Sequence, residues 1–286
     1  MKPAYITDDF LQRFIASSLA EDVGEGDHST LASIPAEAQR SAQLLVKDEG
    51  VLAGVELARI IFFTADHRLK FEILLQDGSS VCPGDIAFIV SGSARTILTM
   101  ERLVLNCMQR MSAIASKTRH YASLITGTRA QLLDTRKTTP NFRLLEKWAV
   151  RIGGGQNHRI GLFDMIMLKD NHIDMAGGIS AAINRTKDYL RAIGKKLPVE
   201  IETRTLSEVQ EVLDNGGVDI IMLDNMDPDT MGAAVKLIAG RYKTEASGGV
   251  TEETIRGIAE CGVDYISVGA LTHTVKSLDL SLKAIR

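Results

Sequence analysis

From residue 130 to residue 268 short strand-like and longer helix-like segments alternate without a break, and no other property of the chain restricts its fold as much. The runs AQLLD (130–134), DMIML (164–168), PVEIE (198–202), VDIIML (218–223), KTEA (243–246) and VDYISV (263–268) read as strands. Between them 142–152, 180–193, 206–214, 228–239 and 252–260 carry apolar residues at helical spacing. A repeated βα unit builds a parallel sheet with helices outside it. Eight such units usually take about 250 residues, so this shorter region predicts a compact or incomplete barrel of about six or seven strands.

Parallel α/β folds hold ligands at the C-terminal ends of their strands. The residues just past the strands are therefore the ones to weigh: Arg136 and Lys137; Lys169; Glu202; Asp224 and Asn225; Ser247, Gly248 and Gly249; Gly269 and Ala270. His158 and Arg159 stand in the loop before the second strand. The whole chain is near neutral, with 33 Lys and Arg against 36 Asp and Glu, but cations gather between Asp134 and His172. The helix at 142–152 has Leu144, Leu145, Trp148 and Ile152 on one face and Gly153, Gly154 and Gly155 as its stop. Arg143, Lys147 and Arg151, four residues apart, read as its solvated outer face.

Helix solubility does not explain Arg136, Lys137, His158, Arg159 and Lys169. Any one alone reads best as a solvated side chain. Converging, they suit a substrate with several negative charges. Glu202 and Asp224 are either a solvated pair or a seat for Mg²⁺, which takes one or two carboxylates plus water and substrate oxygens. One Gly-rich turn is ordinary βα chemistry. Two in the last two positions, Ser247–Gly249 and Gly269, favour a phosphate held by backbone N–H groups. The residues alone thus predict an enzyme acting on a phosphorylated, Mg²⁺-associated partner and a second polyanion. They do not name the reaction.

Residues 8–20 read as a helix, EDVGEGDHST (21–30) as a Gly-rich acidic loop, and 41–90 as mostly strand with a helix at 55–64. Thr96 to Arg119 is a long helical pattern in which Glu101 and Arg102 read most simply as a surface pair. Aromatic residues make up only 5% of the chain and the net charge is -3, which argues against base stacking or a basic nucleic-acid surface. No apolar run approaches the roughly 20 residues of a membrane helix, and the N-terminus lacks a signal-peptide core. Cys82, Cys107 and Cys261 are far apart with no CxxC, so a reducing cytoplasm is expected.

EDVGEGDHST, GVLAGVE, ARTILTMERLVLN, TRKTTPNFRLLEKWAV, GGGQNHRIGLFDMIMLKDNHI, IIMLDNM, EASGGV and ISVGALTHTVKSLDLSL occur in that order. On these motifs the chain resembles the quinolinate phosphoribosyltransferases almost end to end. The resemblance implies an N-terminal α/β sandwich domain (1–110, joined by 275–286) and an open, seven-stranded, TIM-like α/β barrel (111–274). It implies conversion of quinolinate and phosphoribosyl pyrophosphate to nicotinate mononucleotide, pyrophosphate and CO₂, with Mg²⁺, in NAD synthesis. It also implies a homodimer with shared sites, or a larger assembly of dimers.

By the same resemblance Arg136, Lys137, His158, Arg159 and Lys169 would hold quinolinate, with Arg102 reaching in from the neighbouring subunit. Glu202 and Asp224 would face the ribose and, through water, the metal. Ser247, Gly248, Gly249, Gly269 and His273 would line the phosphate side. Asn141 stands where the family usually has Gly, and Asn tolerates a left-handed φ. Arg204 replaces a residue that is more often acidic. The alternatives are a related phosphoribosyltransferase using another pyridine acid, which would need fewer cations, and a molybdenum-transport-associated homologue.

Overall fold

The computed structural model describes residues 2–285 and divides into two compact units. The first comprises Met1–Arg119, Thr138–Gly154 and Ala270–Arg286, and the second His120–Lys137 and Gly155–Gly269. In chain order the elements begin α1 (Asp8–Asp22), α2 (His28–Ser33), β1 (Gln39–Val46), β2 (Gly50–Val51), α3 (Val55–Ala65), β3 (Lys70–Ile73), β4 (Ser80–Val81), β5 (Ile86–Ser93) and α4 (Ala94–Leu124). They continue β6 (Gln131–Leu133), α5 (Arg143–Ile152), β7 (Ile166–Leu168), α6 (Asp170–Ala176), α7 (Ile179–Ile193), β8 (Val199–Thr203) and α8 (Leu206–Asn215). The last are β9 (Ile220–Asp224), α9 (Pro228–Ile238), β10 (Lys243–Ser247), α10 (Ile255–Glu260), β11 (Tyr265–Ser267), α11 (Ala270–His273) and β12 (Leu280–Ala284).

The first unit holds an antiparallel sheet in the order β12-β1-β5-β3. In β1, Ala42, Leu44 and Val46 are buried at alternate positions, the pattern of a sheet with one face on a core. Phe62, Phe71 and Phe88 fill that core, with the Phe71 and Phe88 rings 4.4 Å apart. Residues 28–30, expected to end the acidic loop of 21–30, instead begin α2. The Asp27 carboxylate accepts from Thr30 N–H at 3.0 Å and caps the helix, a role that Asp fills well.

Helix α5 departs most from expectation. Arg151 is exposed, but Lys147, assigned to the same solvated face, is fully buried at 0% exposure. The helix is enclosed all round from Leu145 to Val150, so it has no outer face at that turn. The neighbouring Glu146, also at 0%, pairs with Arg110 of α4 at 2.9 Å and accepts from the Thr139 amide at 3.3 Å. Arg110 also donates to the Thr272 carbonyl at 2.5 Å, so one guanidinium ties α4, the 139 loop and α11 together. Gly153 ends α5 where a Cβ would lie 2.5 Å from the Ala115 carbonyl oxygen, so only glycine lets the helices approach this closely. Removing one partner of a buried pair strands the other. Glu146→Ala should therefore cost about 3–5 kcal/mol of stability, read as a lowered midpoint in urea unfolding at unchanged slope.

The second unit is built on six parallel strands in the order β6-β11-β10-β9-β8-β7. All six correspond to the expected strands. However, β6 and β7, consecutive in the chain, stand at opposite edges of the sheet. β6, α5 and β7 therefore do not form a βαβ unit with hydrogen-bonded strands. Beside β6 stands Gln156, which bridges Leu133, donates to the Leu132 carbonyl at 2.8 Å and accepts from the Asp134 amide at 3.2 Å. Among the described residues no helix is long and apolar enough to cross a membrane.

Candidate active site

Because the six strands are parallel, their C-terminal ends share one edge. The structure brings Arg136, Lys137, Lys169, Glu202, Asp224, Ser247, Gly248, Gly249 and Gly269 to that edge or the loops directly beyond it. Arg102 and His273 belong to the first unit, on α4 and at the end of α11. Both are exposed.

Lys169 follows β7 and is the N-cap of α6, its amide donating to His172 Nδ1 at 3.0 Å. Its ammonium pairs with Glu202 Oε2 at 3.1 Å. Glu202 lies near the end of β8 and is only 7% exposed, whereas the lysine is half exposed. Arg204 turns away and pairs with Glu208, its amide donating at 2.5 Å, so the residue that departs from the family pattern leaves Glu202 to Lys169. Asp224 ends the adjacent β9 and accepts from the Asn225 side chain at 2.7 Å. Asn225 has φ 52° and donates its amide to the Ser247 carbonyl at 2.9 Å. A Cβ on Gly248 (φ 89°) would lie 2.3 Å from Asn225 Oδ1, so the glycine permits this contact between the β9 and β10 loops. Asn141 takes φ 61°, the left-handed turn expected of it.

Arg159 donates to the Met165 carbonyl at 3.5 Å. Burial lowers its pKa, and the like charge of Arg136 lowers it further. The Asp164 carboxylate ties the loop that follows, accepting from the Ile160 and Gly161 amides at 2.7 and 2.9 Å.

His158 is not a free rim cation. It is 8% exposed, and its Nε2 lies 2.9 Å from Glu200 Oε2 and 3.4 Å from Glu245 Oε2. The two glutamates, on β8 and β10, are both at 0% exposure. Burial opposes a charged ring, while the hydrogen bond with Glu200 and the charges of both glutamates favour a proton here and raise the His158 pKa. The Arg159 amide donates to Nδ1 at 2.7 Å, and only an unprotonated Nδ1 can accept. Against that pull, the Nδ1 contact keeps the ring neutral, with its proton on Nε2 between the carboxylates. Burial and the Glu245 charge raise the Glu200 pKa.

His158, Glu200 and Glu245 are also the described residues whose ligand atoms could converge on one metal, all within 4.8 Å of one another. A metal would need the lone pair of Nε2, with Nδ1 donating a hydrogen bond. The Arg159 amide contact at Nδ1 argues for the opposite tautomer, so the cluster as arranged favours a proton over a metal. Sequence reasoning passed over Glu200 and Glu245. The signal was available: Glu200 and Glu202 are two apart on a strand and share a face.

The edge as a whole carries cations at one end, carboxylates in the middle and glycine loops beyond, an arrangement on a parallel α/β sheet that suits polyanions. Family models for the C-terminal and N-terminal domains of quinolinate phosphoribosyl transferase match residues 114–283 and 27–112. The chain belongs to the quinolinate phosphoribosyltransferase family. It is 49% identical to the chloroplastic nicotinate-nucleotide pyrophosphorylase [carboxylating] of Oryza sativa subsp. japonica, over 98% of this chain and 79% of that protein. It is 40% identical to the probable nicotinate-nucleotide pyrophosphorylase [carboxylating] of Bacillus subtilis, over 95% of this chain and 92% of that one. The crystal structure of NadC from Streptococcus pyogenes superposes with a TM-score of 0.92 at 40% identity, covering 98% and 99% of the two chains.

Proposed function

We propose that the chain transfers the phosphoribosyl group of phosphoribosyl pyrophosphate to quinolinate and releases CO₂, giving nicotinate mononucleotide and pyrophosphate for NAD synthesis. The observation that carries this reading is the gathering of Arg136, Lys137 and Lys169 just past the ends of parallel strands, in a chain matched by both quinolinate phosphoribosyl transferase domain models. Several cations on one edge suit a dicarboxylate, which brings two charges. Arg136, Lys137, Arg159 and Lys169 hold its carboxylates, and His158 supports Arg159 from below. Ser247, Gly248, Gly249, Gly269 and His273 take the phosphate side. Glu202 and Asp224, hard oxygen donors near the ends of neighbouring strands, fit Mg²⁺ held through water. Bound there, the ion supplies neutralisation of diphosphate charge.

The pyridine nitrogen attacks C1′ of the ribose as the C1′–O bond to pyrophosphate breaks, and the leaving oxygen keeps the electron pair. The alkylated ring then accepts the electrons of the C2–carboxylate bond as CO₂ departs, and C2 takes up a proton. The cations serve catalysis only so far as they favour the transition state over the dianionic ground state. We place the reaction in the reducing cytoplasm and the sites in a homodimer, with Arg102 of each subunit completing its partner's site. We also infer that the six-stranded sheet curls into an open barrel in which Gln156 stands for the seventh strand.

Initial rates with phosphoribosyl pyrophosphate and Mg²⁺ test the reading. Quinolinate should turn over and nicotinate should not, and equal turnover of the two would refute it. In the same assay a chelator should abolish activity and added Mg²⁺ should restore it. Full activity after exhaustive chelation would remove the metal from the scheme.

A further inference from the structure

Two carboxylates at 0% exposure, facing one imidazole, are a poor way to stabilise a core. Glu200 Oε1 and Glu245 Oε2 have no hydrogen-bond partner, although Glu245 Oε2 is 3.4 Å from His158 Nε2. A buried acid without a full set of partners costs free energy, and replacing such groups by neutral ones is often neutral or stabilising. The arrangement calls for a return other than stability, and the contacts around His158 indicate what it is.

The His158 ring joins the two glutamates to the backbone of the substrate loop. Nε2–H faces the carboxylates, and Nδ1 accepts the Arg159 amide at 2.7 Å. The His158 amide in turn donates to Asp134 Oδ1 at 2.8 Å, and the Asn157 side chain donates to Asp134 Oδ2 at 2.7 Å. Ser267 donates to Glu245 Oε1 at 2.6 Å and fixes that carboxylate. Thus the loop from Asn157 to Arg159 is pinned at the end of β6 and, through one ring, to β8 and β10. Freed of the carboxylates, the ring could turn or take the other tautomer, and the Arg159 amide would lose its acceptor.

We propose that Glu200 and Glu245 are positioning residues, which through the His158 ring hold the Arg159 backbone so that its guanidinium stands ready for a substrate carboxylate. The inference rests on the reading of Arg159 as a quinolinate ligand and adds two residues to that site. Neither glutamate touches substrate in this scheme. Their effect is therefore on quinolinate binding, whereas phosphoribosyl pyrophosphate, assigned to Glu202, Asp224 and the glycine loops, is unaffected.

Glu200→Gln, Glu245→Gln and the double variant, measured beside Arg159→Met, test it. The melting temperature of each Gln variant should hold or rise, while KM for quinolinate rises about tenfold or more, the scale of effect for a misplaced binding group. KM for phosphoribosyl pyrophosphate should not change. A fall in melting temperature with both KM values unchanged would make the glutamates structural and overturn the inference, as would no change at all. If Arg159→Met itself leaves quinolinate KM unchanged, the assignment of Arg159 fails and the inference with it. A second measurement needs no variant: ¹⁵N shifts of His158 in the wild-type protein should show a neutral ring protonated at Nε2. A proton on Nδ1 would overturn the proposal.

Discussion

Lys169→Ala is expected to lower kcat/KM by about 30-fold to several thousandfold, the equivalent of about 2–5 kcal/mol for a desolvated charge left unpaired. Two roles compete for this lysine. It stands at the strand edge, half exposed, where a carboxylate of the substrate can reach it. It also neutralises Glu202, which is far more buried, at 3.1 Å. A double-mutant cycle separates the two. If Lys169 serves only Glu202, then Lys169→Ala/Glu202→Gln should be no worse than Glu202→Gln alone, because the charge needing compensation is gone. If Lys169 also binds quinolinate, the double variant should be worse than either single one, with most of the added loss in KM for quinolinate. The second result is expected. Melting temperatures complete the measurement, since a large fall in Lys169→Ala with kcat and KM preserved would make the lysine structural.

Much of this site was legible because strand ends in a parallel sheet are legible. The six short apolar runs marked the strands, and the first residue past each one fell on the functional edge. Period and position carried that information, and neither depends on tertiary detail. What tertiary packing decides was hidden. Helical spacing put Lys147 with Arg143 and Arg151, but enclosure of α5 on every side is a property of its neighbours and not of its own sequence. The order of strands was hidden too, since β6 and β7 are consecutive in the chain yet lie at opposite edges of the sheet. Glu200 and Glu245 were masked by a sound rule, that acidic residues are usually outside. Such a rule fails where a carboxylate has a task, and these two failures together located the His158 network.

Arg102→Ala alone and Lys137→Ala alone should each be inactive, and co-expression of the two should restore about a quarter of wild-type activity. Arg102 lies on α4 and is exposed. The proposed homodimer would give it to the partner's site across a two-fold interface. Random assembly makes half of the dimers mixed. In a mixed dimer one site then carries both defects and the other carries neither. One good site in half of the dimers is a quarter of all sites. If Arg102 served its own subunit's site, every site in a mixed dimer would carry one defect and no activity would return. If Arg102 had no role, Arg102→Ala would be active by itself. Native mass spectrometry on differently tagged subunits measures the mixed fraction, so the expected activity can be calculated from it and compared directly with the rate observed.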